Sequence, residues 1–148
     1  MTDYLLEYKM DLIAQLRDAL KAVPNLVSAH LFGSQAQKVA SEESDVDIAL
    51  LFFRGQEPGK EQLIELREQV REQIRKEVDL VSLNSASPIL GAQVYQHGLP
   101  IVIHFQRAYD EYLIALMTDY ADLKWQRAPM EHAILNRKYY GRSGSSTS

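Results

Sequence analysis

Residues 26–53 read LVSAHLFGSQAQKVASEESDVDIALLFF, and the fold turns on this stretch. Leu26 to Phe32 and Val46 to Phe53 are short, mostly apolar segments of strand length, each bordered by polar or glycine-containing sequence, so both are expected to be β-strands. The polar link GSQAQKVASEES joins them. Gly33 and Ser34 follow directly on the first strand and Asp45-Val46-Asp47 opens the second, which gives the pattern G-S-x(10)-D-x-D. Side chains at i and i+2 of an extended chain point to one face, so Asp45 and Asp47 project together, as a pair of divalent ions requires. Oxygen ligands suit magnesium, which keeps several waters and is usually held by one or two carboxylates together with substrate phosphates. A nucleoside triphosphate would complete such a shell. Gly33 lets the backbone turn and approach closely, and the Ser34 hydroxyl and neighbouring amides are suited to donate hydrogen bonds to phosphate oxygens.

Taken singly these fragments say little, since Gly-Ser is usually a turn and Asp-x-Asp often a solvated loop. In combination, four fixed letters at average frequencies of roughly 5 to 7% each recur by chance in only a few per thousand chains of this length. A third acid strengthens the pattern. Val78 to Leu83, VDLVSL, reads as another strand, and Asp79 near its start would be costly to bury alone unless it faces a metal site on the neighbouring strand. Three convergent carboxylates repel one another without cations, and with two ions they form the kind of site that stabilises an in-line displacement at phosphorus.

Around this centre the chain alternates helices with strands. Leu5, Leu6, Leu12, Ile13, Leu16 and Leu20 recur at helical spacing, so Tyr4 to about Ala22 reads as an amphipathic helix ending before Pro24. Lys60 to Lys76 places Leu63, Leu66, Val70 and Ile74 on one face of a second helix. Ser87 as N-cap, Pro88 at the first helical position and Gly98 as a left-handed C-cap define a short third helix, followed by a strand from Leu99 to Phe105. Tyr112, Leu113, Leu116, Tyr120 and Leu123 mark a helix from about Tyr109 to Arg127, with further helix through His132 to Tyr140. Residues 1–140 are expected to form one domain, and the tail GRSGSSTS, residues 141–148, is expected to be disordered for want of apolar area.

Composition narrows the function. The 148 residues are 46% hydrophobic, enough for one ordinary core. There is no cysteine, so disulfides, thiolate metal sites and a cysteine nucleophile are excluded. No apolar run approaches a membrane span and the first residues lack a signal-peptide pattern, so a cytoplasmic protein is expected. A formal net charge of −4 gives no general attraction to phosphate backbones, so stable binding of nucleic acid is not expected. His30, His97, His104 and His132 show no metal-ligand spacing and read as structural or surface residues. Arg67, Arg71 and Arg75 form a stripe on the second helix, but Glu65, Glu68 and Glu72 are interleaved with it, so an exposed ion-paired face is expected.

The segments GSQAQKVASEESDVDIAL and VDLVSLNSASPILGAQVYQHGLPI resemble the minimal nucleotidyltransferases, the MNT antitoxins of HEPN/MNT toxin-antitoxin modules, within the DNA polymerase beta-like superfamily. The resemblance spans about Leu26 to Phe105. It implies an α/β (α+β) nucleotidyltransferase fold, a small mixed sheet with helices packed mainly against one side, including N-terminal and C-terminal helices. It also implies that Asp45 and Asp47 bind two magnesium ions and that Gly33 and Ser34 hold ATP. Asp79 would be the third catalytic carboxylate, ligating one ion and helping to deprotonate the attacking hydroxyl. The implied activity is AMP transfer from ATP to a tyrosine of a partner HEPN ribonuclease toxin, which silences it. Neutralisation by binding alone, or transfer to a small molecule or RNA end, are the alternatives. Candidate docking surfaces are the C-terminal helical region, with Tyr109, Tyr112, Tyr120 and Trp125, and the loop Gln35 to Ser44, although ordinary core packing is the expected role of those aromatics.

Overall fold

The computed structural model describes residues 2–36 and 44–140, with side chains described over 4–36 and 44–124. The expected tail, most of the loop between the first two strands and the side chains of Trp125 and His132 lie outside the described residues. The elements run α1 (Thr2–Leu20), β1 (Leu26–Phe32), a 3₁₀ turn (Gly33–Ala36), β2 (Val46–Phe52), α2 (Lys60–Ile74), β3 (Val78–Ser82), α3 (Pro88–His97), β4 (Leu99–Ile103) and α4 (Gln106–Tyr140). The four strands form one mixed sheet of order β3-β2-β1-β4. β1 pairs antiparallel with both β2 and β4, whereas β2 and β3 are parallel because α2 carries the chain back to the same end of the sheet.

Every residue of β2 except Asp47 is buried, which is why its sequence VDIALLF is a nearly unbroken apolar run. Its alternate residues serve two cores. Val46, Ile48, Leu50 and Phe52 pack with Leu12, Leu16 and Leu20 of α1 and with Val70 and Ile74 of α2. Ala49 and Leu51 face the other way, toward Val27, Leu83, Val94 of α3 and Tyr109 of α4. The helices are therefore divided two to each face, not gathered mainly on one side as the resemblance implied. The physical reason is that the interior strands are apolar on both faces and both must be covered.

Element ends depart from expectation where backbone hydrogen bonds find other partners. α1 stops at Leu20, and Val23 N–H closes on the Leu20 carbonyl at 3.2 Å before Asn25 turns through a left-handed φ of 61°. α2 ends with Arg75 in the left-handed conformation, its N–H donating to the Arg71 carbonyl at 2.8 Å. Ser87 caps α3 as expected, accepting from Leu90 N–H at 3.2 Å. Gly98 does close α3, but with φ −78° and ψ 164° it is extended and not left-handed, because Leu99 pairs at once with Leu31 in the sheet. β4 ends at Ile103 since His104 and Phe105 both direct their N–H groups at the Val27 carbonyl, and α4 follows as one continuous helix of 35 residues. Past β3, the Asn84 side chain imitates a peptide group, accepting from Phe52 N–H at 2.9 Å and donating to the Phe52 carbonyl at 2.8 Å.

Candidate active site

Asp47 sits in the middle of the site because its strand is paired on both sides. Across the antiparallel ladder it faces Phe32, the last residue of β1, and across the parallel ladder it faces Asp79. Residues opposite one another in a ladder point to the same face, so Asp47 and Asp79 emerge side by side on the face covered by α3 and α4. Asp45, two residues before Asp47, shares that side. Asp45 and Asp79 are exposed, whereas Asp47 is half-buried.

Beyond Phe32 the chain turns at Gly33, whose φ of +70° is strained for any residue with a side chain. A Cβ at Gly33 would run into Oδ2 of Asp47, so the glycine backbone lies directly against the carboxylate. Ser34, exposed, follows in the 3₁₀ turn. The turn is anchored by Gln35, a fully buried polar residue whose Nε2 donates to the Ser44 carbonyl at 2.7 Å. This bond ties the start of the long loop to its end and thereby sets Gly33-Ser34 against Asp45-Asp47. Sequence patterning gave no signal for Gln35, since a glutamine in a polar link carries no periodicity. A second tie joins the acidic strands, with Val46 N–H donating to the Glu77 carbonyl at 2.9 Å.

The electrostatics follow from this placement. Burial pushes the Asp47 carboxyl above the usual carboxylate range, and the negative charges of Asp79 and then Asp45 push it further. Among the described residues, no three carboxylates or histidines are drawn together closely enough to enclose a metal ion by themselves. The donor set nevertheless fits magnesium: it is all oxygen, it includes a carboxyl destabilised by like charges that a cation would relieve, and it leaves room for phosphate oxygens and water.

On the flank of the site, a cleft of about 140 Å³ is lined by Asp45 and Asp79 together with Arg67, Glu68, Arg71, Glu77 and Val78. Arg71 bridges Glu68 and Glu77, both at 3.2 Å, and Arg67 lies 3.5 Å from Glu68. Arg67 and Arg71 of the arginine stripe are thus ion-paired, as expected, but both also border the carboxylate site. The helical spacing showed the stripe without showing what it faced. Of the histidines, His30 is buried in β1 with its Nε2 3.2 Å from the Tyr109 hydroxyl, the two rings stacked at 5.3 Å, and burial lowers its pKa. Tyr109 is consequently a core residue and not part of a docking surface. Tyr112 is also largely enclosed, its hydroxyl pushed up to about 12 by burial and by Tyr109.

This sheet, with a glycine turn and an Asp-x-Asp strand facing a third acid, defines a nucleotidyltransferase. The chain belongs to the family described as Polymerase beta, Nucleotidyltransferase, whose profile matches residues 14–107 and so spans the whole site. A candidate protein adenylyltransferase of Methanocaldococcus jannaschii is 31% identical over 74 residues, which cover 50% of this chain and 77% of that protein. Among solved structures the chain is similar to one in a toxin-antitoxin complex with AMP-PNP, with a TM-score of 0.71 and 26% identity over 83% of this chain and 98% of that one. It is also similar to one in a complex of a tri-AMPylated Shewanella oneidensis HEPN toxin with its MNT antitoxin, with a TM-score of 0.62 and 25% identity over 91% and 99%. The nucleotidyltransferase fold and the resemblance to the MNT antitoxins are both borne out.

Proposed function

We propose that this chain is an antitoxin that acts as a protein adenylyltransferase, transferring AMP from ATP to a tyrosine hydroxyl of a HEPN ribonuclease and so silencing it. The observation that carries the reading is the flanking of Asp47 by the Gly33 turn on one strand and by Asp79 on the other. That arrangement puts a glycine turn and an exposed carboxylate on opposite sides of one position, which supports roles in holding phosphate and taking a proton. The relatives crystallised with AMP-PNP and with an AMPylated HEPN toxin support the nucleotide and the acceptor class.

In this reading Gly33 and Ser34 hold the triphosphate through backbone amides and the Ser34 hydroxyl. Asp45 and Asp47 would hold magnesium, two ions with Asp79 as an additional ligand, and the metal would supply charge neutralisation at the triphosphate. The acceptor hydroxyl attacks the α-phosphorus as its proton passes toward Asp79, a new phosphorus–oxygen bond forms, and the bond to pyrophosphate breaks. Asp79 suits this role because it is exposed, stands opposite Asp47 on the neighbouring strand and lines a cleft through which an acceptor can arrive.

The test is co-expression with the HEPN-domain ribonuclease from the same genome, followed by intact mass measurement of the ribonuclease. Gain of one or more AMP masses, lost when Asp45 and Asp47 are both changed to Asn, is the expected result. Neutralisation that survives the double substitution would instead establish inhibition by binding alone. Transfer to small molecules or RNA ends in the absence of any protein acceptor would establish the other alternative.

A further inference from the structure

The two edges of the sheet are not alike. In the order β3-β2-β1-β4 the outer strands are β3 and β4, and each turns a row of backbone N–H and C=O groups away from its ladder. On β4 that row is interrupted. Pro100 has no N–H to offer, the ladder with β1 slips between Ala29 and His30, and the Ile101 carbonyl accepts from Arg17 Nε at 3.1 Å.

β3 has none of these protections. Its register with β2 runs without a shift from Val46↔Val78 to Leu50↔Ser82, and its sequence VDLVS holds neither proline nor lysine. Val46 N–H donates to the Glu77 carbonyl at 2.9 Å and Leu83 N–H to the Leu50 carbonyl at 2.8 Å, so Glu77, Asp79, Val81 and Leu83 direct their ladder groups at β2. Val78, Leu80 and Ser82 therefore direct theirs outward. The Ser82 carbonyl is taken by Ser85 N–H at 3.3 Å, but among the described residues no hydrogen bond reaches the N–H or C=O of Val78 or Leu80. This open row lies beside the site. Asp79 is exposed on the same strand, and Val78 and Asp79 line the cleft of about 140 Å³.

We propose that the free edge of β3 receives an extended segment of the acceptor protein as an added strand, with the acceptor tyrosine opposite Asp79. A peptide backbone supplies alternating donors and acceptors at the spacing of Val78 and Leu80, so the occupant is a polypeptide and not a small molecule or an RNA end. A residue opposite Asp79 in the added strand points to the face that Asp79 and Asp47 share. Tyrosine in that place carries its hydroxyl past the Asp79 carboxylate, whereas a serine hydroxyl, one bond beyond Cβ, ends short of it. Backbone pairing thus holds the acceptor, and side-chain length selects tyrosine. The inference rests on the adenylyltransferase reading above.

The experiment follows single-turnover AMP transfer by the full chain as the concentration of the HEPN ribonuclease is varied. Leu80→Pro removes one outward N–H and leaves the bonds to β2 in place, because Leu80 does not donate to that strand. It is expected to raise the half-saturating ribonuclease concentration about tenfold or more, the scale of one or two backbone hydrogen bonds. Leu80→Ala shortens the same partly buried side chain but keeps the N–H, and it is expected to stay within threefold. Thermal stabilisation by magnesium-ATP equal to that of wild type shows that the body and the nucleotide site are intact. Where Leu80→Pro loses it, Ser82→Pro makes the same test farther from Asp79, and loss in both means that these N–H groups serve the fold, which overturns the proposal. Half-saturation within threefold of wild type in an intact proline variant, or equal weakening by Leu80→Ala, overturns it while the adenylyltransferase reading stands. A proline variant that turns a dimer of the free chain into monomer without altering transfer makes the edge a self-pairing surface and also overturns it. Transfer by wild type to an RNA end or small molecule, with none to the ribonuclease, removes the adenylyltransferase reading and this inference with it.

Discussion

The Gly33 backbone lies against the Asp47 carboxylate, so close that a single added carbon would collide with Oδ2. This contact fixes the turn proposed to hold phosphate against the acid proposed to face metal. Gly33→Ala should therefore act twice. The left-handed φ of +70° disfavours any side chain by roughly 1–2 kcal/mol, and the displaced carboxylate should abolish nucleotide binding. Denaturant unfolding would report the modest stability loss, and the same protein should gain no thermal stability from magnesium-ATP.

Asp47 also sets the pH behaviour of the metal-free protein. Its folded pKa is raised by burial and by Asp79 and Asp45, so the folded state binds this proton more tightly than the unfolded chain does. Stability therefore falls as pH rises from the ordinary carboxylate value through the raised one, and remains lowered above it. Urea unfolding between about pH 4 and pH 7 should show this decline in wild type and a shallower one in Asp47→Asn, which removes the titrating group. At neutral pH the metal-free variant should be at least as stable as wild type. A variant less stable than wild type across the whole range would contradict the repulsion.

Magnesium-ATP should reverse that order. A ligand that binds only the folded state at a hundred times its Kd stabilises by about 2.7 kcal/mol, which is a readily measured shift in Tm. Wild type should show it, removal of magnesium by EDTA should abolish it, and Asp45→Asn and Asp47→Asn should each lose most of it. Lack of any shift in wild type would count against a nucleotide site in this fold.

Much of the site was legible in the sequence because strand chemistry is local. Gly33-Ser34 after an apolar run, and Asp45 and Asp47 at i,i+2, declare their shared face, and suggest the phosphate and metal roles proposed for them, without tertiary information. Asp79 is placed against the neighbouring strand by the cost of burying a lone acid and by the family resemblance, and the parallel register of β2 and β3 supplies the physical reason. What was not legible depends on contacts between distant segments. Gln35 looks like any polar loop residue until its Nε2 is seen on the Ser44 carbonyl, and Arg67 and Arg71 look like a solvated helix face until β3 brings Asp79 beside them. Helical spacing leaves Tyr109 open between core packing, the expected role, and docking, and the stacked ring of His30 decides for the core. The division of helices between both faces follows from the double-sided burial of β2, which the run VDIALLF displayed and the one-sided expectation overlooked.

Gln35 accordingly offers a test of how the loop is held. Gln35→Ala deletes the hydrogen bond to Ser44 and leaves a buried polar carbonyl and a cavity, which together should cost about 2–4 kcal/mol. Nucleotide affinity should fall as well, because the turn carrying Ser34 loses its anchor. Gln35→Glu keeps the volume but removes the donor, and it should weaken magnesium-ATP binding more than its cost in unfolding free energy would suggest. Equal loss in both measurements would reduce Gln35 to a general stabiliser.

Asp79 separates proton transfer from binding. If it takes the proton of the acceptor hydroxyl, Asp79→Asn should lower single-turnover AMP transfer by about 100-fold or more, the scale of a lost general base. Binding should suffer less, since Asp45 and Asp47 remain, and Asp79→Asn should keep a measurable part of the magnesium-ATP stabilisation that Asp47→Asn loses. Raising pH makes the distinction sharper. A tyrosine acceptor ionises near pH 10 without help, so the deficit of Asp79→Asn should narrow as pH approaches that value. A deficit that stays constant with pH, accompanied by complete loss of nucleotide stabilisation, would make Asp79 a metal ligand alone.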